Sequence, residues 1–330
     1  MADVDADSTP QRPSDASEGA ARDAIYEQPA VVGGPAISKT GEFGVEARSQ
    51  GRMVIRRFLR HRGAMVSLVV LILVILLSLV GGRVWKYDYA EITPEFSTPP
   101  SLDHPMGTNG VGNDTFAQVL RGAQKSVQIM LLVALFSTAI GVTIGSIAGY
   151  YGGKIDALLM RFVDLVLTIP TLAILAVLSN KVRQSGSWFG IAVIIAAIVW
   201  TTLARIVRAE ILSLREKEFV EAARAAGASD ARIIFRHLLP NVVGSIIVAS
   251  TLTMAAAILI ETTLSYLGLG IRVPDTSLGL LVSDGQASAQ TRPWLFYFPG
   301  LFIIVIVLCV NFIGDGLRDA FDPKQNRVRA

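Results

Sequence analysis

Apolar positions along this chain gather into runs instead of alternating with polar ones. About fifty mostly polar residues come first. Six runs of roughly helical membrane length follow: Ala64–Val80, Ser126–Gly149, Ala157–Leu178, Trp188–Val207, Val242–Leu264 and Phe298–Asp315. A bilayer core of about 30 Å needs about 20 apolar residues in a helix. The pattern therefore predicts an all-α polytopic membrane protein with six transmembrane helices. Pro170 in the third run and Gly244 in the fifth are compatible with spanning helices, because neighbouring helices can re-satisfy a freed carbonyl.

Composition strengthens this reading. Of 330 residues 52% are hydrophobic and only 17% charged, and the mean hydropathy is +0.50, high for a soluble domain. Residues 1–50 carry nine acids against four bases and little that could bury a core, so a disordered acidic cytoplasmic tail is expected there. The first twenty residues hold no apolar stretch, which argues against a cleaved secretory signal. Cys309 is the single cysteine and precludes an internal disulfide. The three histidines show no metal-ligand spacing.

Charge sets the expected orientation. Of the 30 Lys and Arg, eight (Arg83, Lys86, Arg121, Lys125, Lys181, Arg183, Arg272 and Arg292) fall on one side of the six runs and 22 on the other. Basic residues concentrate on the cytoplasmic side, so both termini are expected inside. The chain then divides into the tail (1–50), a basic juxtamembrane segment with the first transmembrane helix (51–82), an extracytoplasmic segment (83–125), a core of five transmembrane helices (126–316) with a cytoplasmic loop (209–240), and a second cytoplasmic tail (317–330). Topology accounts for the net charge of +3, so no nucleic-acid partner is expected.

Several chemistries are missing. A phosphate-binding loop needs GxxxxGK[ST]; the nearest run, RGAQKS at Arg121–Ser126, lacks the glycine before the lysine. HExxH is absent, and FIGD at Phe312–Asp315 offers one aspartate at a helix end. The expected chain is non-catalytic and binds no metal or cofactor.

Other features invite a role. Gly141, Gly145 and Gly149 recur every fourth residue, with Ser137 extending the row; small residues on one face let a second helix come close. Packing within the chain and a subunit interface both fit. Asp164, Glu210, Glu261 and Asp315 lie at or near the ends of apolar runs, where a charge normally faces protein or a water-filled cavity. Asp164 and Glu261 are candidates for a pathway or an interface. Glu261 lies about 20 residues, or roughly 30 Å of helix, beyond Pro240, which places it near the outer end.

The stretch EFVEAARAAGASDARIIFRHLLPN, Glu218–Asn241, is the least membrane-like part of the core. Phe219, Ala222, Ala223 and Ala226 sit at i, i+3, i+4 and i+7, one stripe of a short helix. Gly227 supplies an end without a Cβ penalty, Ser229 and Asp230 start a second helix, and Pro240 suits a first turn. An alanine stripe buries little area in lipid, whereas small residues flanked by charge suit a protein groove.

This stretch resembles the EAA loop of ATP-binding-cassette (ABC) importer permeases. Glu221, Ala222 and Ala223 precede Gly227, nine residues separate Gly227 from position 237, which is His where the pattern has Ile, and Leu239–Pro240 fall in register. Arg236, His237, Pro240 and Asn241 match the RHxxPN of the peptide-transporter branch. RRFLRHRGAMVSLVVL (Arg56–Leu71), HPMGTNGVGND (His104–Asp114), ETTLSYLGLG (Glu261–Gly270) and NFIGDGLRDAFDP (Asn311–Pro323) are similar to elements of the C-type dipeptide/oligopeptide subunit. Asn109 and Asn113 stand where that family has Asp and Arg, and Leu278 where Trp is common. The resemblance covers the chain from about Arg52 onward.

It implies a type I ABC importer permease fold in a bacterial inner (plasma) membrane. Implied partners are a homologous B-type permease subunit, two cytoplasmic ATPases that hold ATP and Mg²⁺, and an extracytoplasmic peptide-binding protein. The EAA helix would be a coupling helix docked on one ATPase. Nickel or glycan importers with similar subunits, and an ion-coupled secondary transporter, are the competing readings.

Overall fold

The computed structural model describes residues 50–182 and 187–321. The expected acidic tail, Arg183, and the chain from Asp322 onward lie outside the described residues. Among the described residues the regular structure is helical.

The first helix, α1 (Gln50–Arg60), stops at His61, whose backbone is extended. The His61 ring then caps the next helix: Nδ1 accepts from the Ala64 amide at 3.0 Å. That helix, α2, runs Arg62–Val84 and includes one π-helical turn at Leu77–Gly81. After a 30-residue connection, α3 (Thr115–Tyr151) begins at Asp114, whose carboxylate accepts from the Ala117 amide at 2.7 Å. At 37 residues it is about 55 Å long, more than a bilayer core needs. Part of it therefore projects beyond the apolar layer.

The third predicted span differs from expectation. It comprises two helices, α4 (Gly153–Thr168) and α5 (Thr171–Val182), which meet at 84°. Ile169 between them is extended (φ −85°, ψ 127°). The cause is Pro170, which disfavours helical backbone in the residue before it and offers no amide to the preceding turn. The remaining elements are α6 (Trp188–Leu214), the short α7 (Glu218–Ala225), α8 (Asp230–Tyr266), α9 (Leu278–Gln286) and α10 (Trp294–Phe321). Helices α2, α3, α6, α8 and α10 are each long and apolar enough to cross a membrane, and the bent α4–α5 pair counts as a sixth span if taken as one.

Contacts between helix ends define two ends of the bundle. At one, the 85–114 connection meets α10, with Trp294 Nε1 donating to the Thr108 carbonyl at 3.4 Å. At the other, His61 faces Asp319, and α7 packs beneath α3, α6 and α8. These are called the loop end and the basic end below. Between them, one core joins α3, α8, α9 and α10 around Met130, Ile258, Leu278 and Ile306. A second joins α3, α5, α6 and α8 around Ile129, Leu175, Ile195 and Leu264.

Candidate functional site

At the basic end the chain turns a rigid corner. Helix α7 closes with a Schellman motif: the Ala228 amide donates to the Ala223 carbonyl at 3.0 Å, and the Gly227 amide to Arg224 at 2.9 Å. The motif needs a left-handed residue at its centre, and Gly227 supplies it at φ +79°. Ser229 then caps α8, accepting from the Arg232 amide at 3.4 Å. The expected stripe splits into two faces. Phe219, Ala222 and Ala226 are exposed, as are Glu221 and Arg236, while Ala223 is half-buried. Val220 is fully buried, in a cluster with Ile211, Ile233 and Leu238. Each fully buried aliphatic contributes roughly 1.5–3 kcal/mol, enough to hold so short a helix in place. His237 is half-buried, and Pro240 is exposed in the first turns of the Leu239–Tyr266 part of α8.

Polar tethers fix this corner to α3. Tyr150 Oη donates to Asp230 at 2.7 Å, and the Arg224 guanidinium lies 5.4 Å from the centre of the Tyr150 ring. Arg215 donates to the Gly149 and Tyr150 carbonyls, both at 3.3 Å, satisfying the open end of α3. These contacts and the buried cluster around Val220 join the α7 corner to α3, α6 and α8.

The glycine row forms the α3–α6 contact. A Cβ on Gly141 would come 3.0 Å from the Trp200 carbonyl, on Gly145 2.5 Å from the Ala204 carbonyl, and on Gly149 2.8 Å from the Arg208 carbonyl. The row thus lies against a helix of the same chain, backbone on backbone. Two ion pairs extend the seam to α4: Arg208 with Asp156, through a 2.6 Å second contact, and Arg205 with Asp164. Asp164 is therefore partnered, and it is half-buried.

Glu261 is completely buried. It accepts hydrogen bonds from Ser126 Oγ of α3 at 3.1 Å and from Ser265 Oγ at 2.7 Å; Ser265 also contacts Ser277, the residue that caps α9, at 3.2 Å. Among the described residues Glu261 is thus enclosed by protein. It holds α3, α8 and the start of α9 together.

The loop end is ordered by two further centres. His104 Nδ1 lies 2.6 Å from Asp114, both fully buried, and the ring stacks on Tyr87 at 4.6 Å. Asn109, although it departs from the Asp seen in the resembled family, accepts from the Val111 and Asn113 amides, both at 2.9 Å. Asp275 receives Arg121 at 2.8 Å and 3.2 Å and Lys125 at 3.0 Å. Burial pushes the Asp275 carboxyl up, but the hydrogen bonds from Arg121 and Lys125 outweigh it and hold the group below the usual carboxylate range. A depressed carboxylate stabilises the fold above its unfolded value, and the contribution is lost as pH falls through the folded value. The clamp is accordingly independent of pH near neutrality and weakens only in acid below about pH 4. Asp275→Asn is expected to loosen residues 267–277 by about 1.5–3 kcal/mol, read as faster amide exchange there with α6 unchanged. Beside this clamp a cavity of about 560 Å³ opens between Tyr89, Asn109, Asp275, Asp284 and Arg292. A second, apolar groove of about 610 Å³ lies along α3 and α8 between Leu135, Thr138, Val142 and Ser250. Among the described residues no group of three or more His, Cys, Asp or Glu could hold a metal ion.

Residues 141–327 match the family described as the binding-protein-dependent transport system inner membrane component. The chain belongs to that family. Residues 49–100 of this permease match the N-terminal transmembrane domain of oligopeptide transport permease C. An oligopeptide transport system permease protein from Mycobacterium tuberculosis is 43% identical over 287 residues, covering 86% of this permease and 98% of that protein. The counterpart from Bacillus subtilis is 37% identical over 294 residues, 88% and 96% of the two chains. A chain of the inward-facing MetNI methionine ABC transporter is similar at TM-score 0.49 and 19% identity, over 62% of this permease and 97% of that chain.

Residues that sequence reasoning passed over complete the picture. Val220 was legible as the one β-branched residue inside the α7 stretch. Tyr150 and Asp230 are 80 residues apart, and no local pattern pairs them.

Proposed function

We propose that this permease is a transmembrane subunit of an ATP-driven ABC importer of di- or oligopeptides and forms half of the translocation pathway. The observation that carries the coupling part is the α7 corner: an exposed face of Phe219, Ala222 and Ala226 on a helix whose other face is locked into the bundle. Small side chains on a rigid helix suit a groove in a protein partner. The peptide cargo is supported by the relatives named oligopeptide transport system permease proteins.

In this reading the basic end is cytoplasmic, both termini included, and the membrane is the bacterial inner or plasma membrane. One of two ATPases seats α7, contacting Phe219, Glu221, Ala222, Ala226 and Arg236, while Ala223, Gly227, His237 and Pro240 set the shape of the corner. ATP and Mg²⁺ bind between the ATPases, and this chain performs no catalysis. A homologous B-type permease covers the groove along α3 and α8, where Thr138, Thr143 and Ser250 offer hydroxyls to a passing peptide backbone. An extracytoplasmic binding protein delivers cargo to the loop end. When the ATPases close, α7 moves with its groove, and Arg224 on Tyr150, together with the buried cluster around Val220, carries the motion into α3 and α6.

Purification through a tag on this chain is expected to bring down two ATPases and a second permease subunit. Proteoliposomes of that complex should take up a labelled tripeptide only with internal-side ATP and the binding protein. Uptake driven by a proton gradient without ATP, or ATP hydrolysis by the purified chain alone, would overturn the reading. Retention of nickel or a glycan by the cognate binding protein would replace the cargo and keep the mechanism.

A further inference from the structure

We infer that α1 is a binding site for anionic phospholipid headgroups, lying in the membrane interface at the basic end. The inference requires only that α2 spans the bilayer. A single residue, His61, separates α1 from α2, so α1 ends where the spanning helix begins. Its side chains fall into three stripes. Val54 and Phe58 turn toward the chain; Phe58 comes 3.4 Å from where a Cβ on Gly316 of α10 would stand. Next to them Ile55 and Leu59 are 61% and 55% exposed. Beyond those run Arg52, Arg56 and Arg60, all exposed.

The adjoining α2 also exposes apolar side chains, Val66, Val69 and Leu73 among them. An 11-residue helix with two bulky aliphatics facing out and arginines beside them has the layout of a helix lying in the interface, its apolar edge at the acyl boundary. The arginines choose the headgroup. None of Arg52, Arg56 and Arg60 has a carboxylate partner among the described residues, and no Asp or Glu occurs from Ala47 to Tyr87. Guanidinium groups bind phosphate oxygens in a bidentate fork, and anionic lipids concentrate such phosphates where zwitterionic ones compensate them. A protein partner would need a matching acidic groove with a hydrophobic floor; an anionic leaflet offers both chemistries along the whole helix.

The test uses the full chain, purified from a membrane containing equal phosphatidylglycerol and phosphatidylcholine. Native mass spectrometry then counts the lipids retained. Each arginine near an anionic surface contributes about fivefold. Three therefore predict phosphatidylglycerol enrichment on the order of a hundredfold. The enrichment should fall toward unity in R52Q/R56Q/R60Q and be largely kept in R52K/R56K/R60K. Equal retention of the two lipids by the natural chain, or enrichment that survives the glutamine triple, would overturn the inference. A photo-crosslinking residue at Leu59 in intact membranes gives an independent reading if the triple variant assembles poorly. A phospholipid adduct is expected. Capture of protein, the acidic N-terminal segment of this chain included, would overturn the inference.

Discussion

Ala222→Asp is expected to abolish peptide uptake while the permease still accumulates, folds and assembles with its partner permease. Ala222 lies on the exposed face of α7 between Phe219 and Ala226, so the free chain bears an aspartate there at little cost. Inside a protein groove the same carboxylate loses its water and meets no base, and an unpaired polar group buried this way costs several kcal/mol. Loss of about 3 kcal/mol of docking is roughly a hundredfold in affinity. ATPase subunits should therefore vanish from the purified complex. Val220→Asp, two residues away, is the contrast: Val220 is fully buried against Ile211, Ile233 and Leu238, so that variant should fail to accumulate at all. Uptake at the natural rate in Ala222→Asp, with normal abundance, would remove α7 from the coupling role. Equal loss of abundance in both variants would show the exposed face to be structural.

Spacing alone assembles Phe219, Ala222, Ala223 and Ala226 into one stripe, because it weights every apolar residue equally. Burial does not: Val220 removes far more apolar surface from water than an alanine, so the helix buries Val220, leaves Phe219, Ala222 and Ala226 exposed and keeps Ala223 half-buried beside the cluster. Five spans were legible because lipid demands long uninterrupted apolar helices. The break at Pro170 was equally legible from the residue pair Ile169–Pro170 but disappears when hydropathy is averaged over a window. The partners of Glu261 were not legible. Ser126 stands 135 residues away in sequence, and a lone acid in an apolar run gives no sign of whether water or a serine will meet it.

The glycine row poses the same division between face and partner. A four-residue repeat identifies a helix surface and says that something approaches it closely, but not which helix approaches. The answer, α6, makes this seam more than filler. It carries at one end Arg208 and Arg215, which tie α4 and the end of α3 to α6, and it continues into the cluster that holds Val220. With no hydrophobic drive between helices in lipid, such backbone-on-backbone packing has to supply the association itself.

Gly145→Leu is accordingly expected to cost the permease its α3–α6 seam and to lower folded protein in the membrane by at least about tenfold, since overpacking a rigid contact commonly costs 1–3 kcal/mol and more when backbone must move. The position is the tightest of the three: a Cβ at Gly145 would stand 2.5 Å from a carbonyl oxygen and 2.9 Å from the Val207 Cβ, against 2.8 Å at Gly149 and 3.0 Å at Gly141. Neither neighbour is the free end of a flexible side chain, so α6 as a whole must retreat. Alanine at each position should then destabilise in the order Gly145, Gly149, Gly141, measured as the temperature at which the tagged, detergent-extracted chain leaves its monodisperse peak in size-exclusion chromatography. Gly300 is the control. It sits in α10 with nothing within 4 Å of an added Cβ, and leucine is a better helix former than glycine by about 0.8 kcal/mol, so Gly300→Leu should leave abundance unchanged. If Gly145→Leu accumulated as well as Gly300→Leu, the close approach of α3 and α6 would not be what holds these helices together.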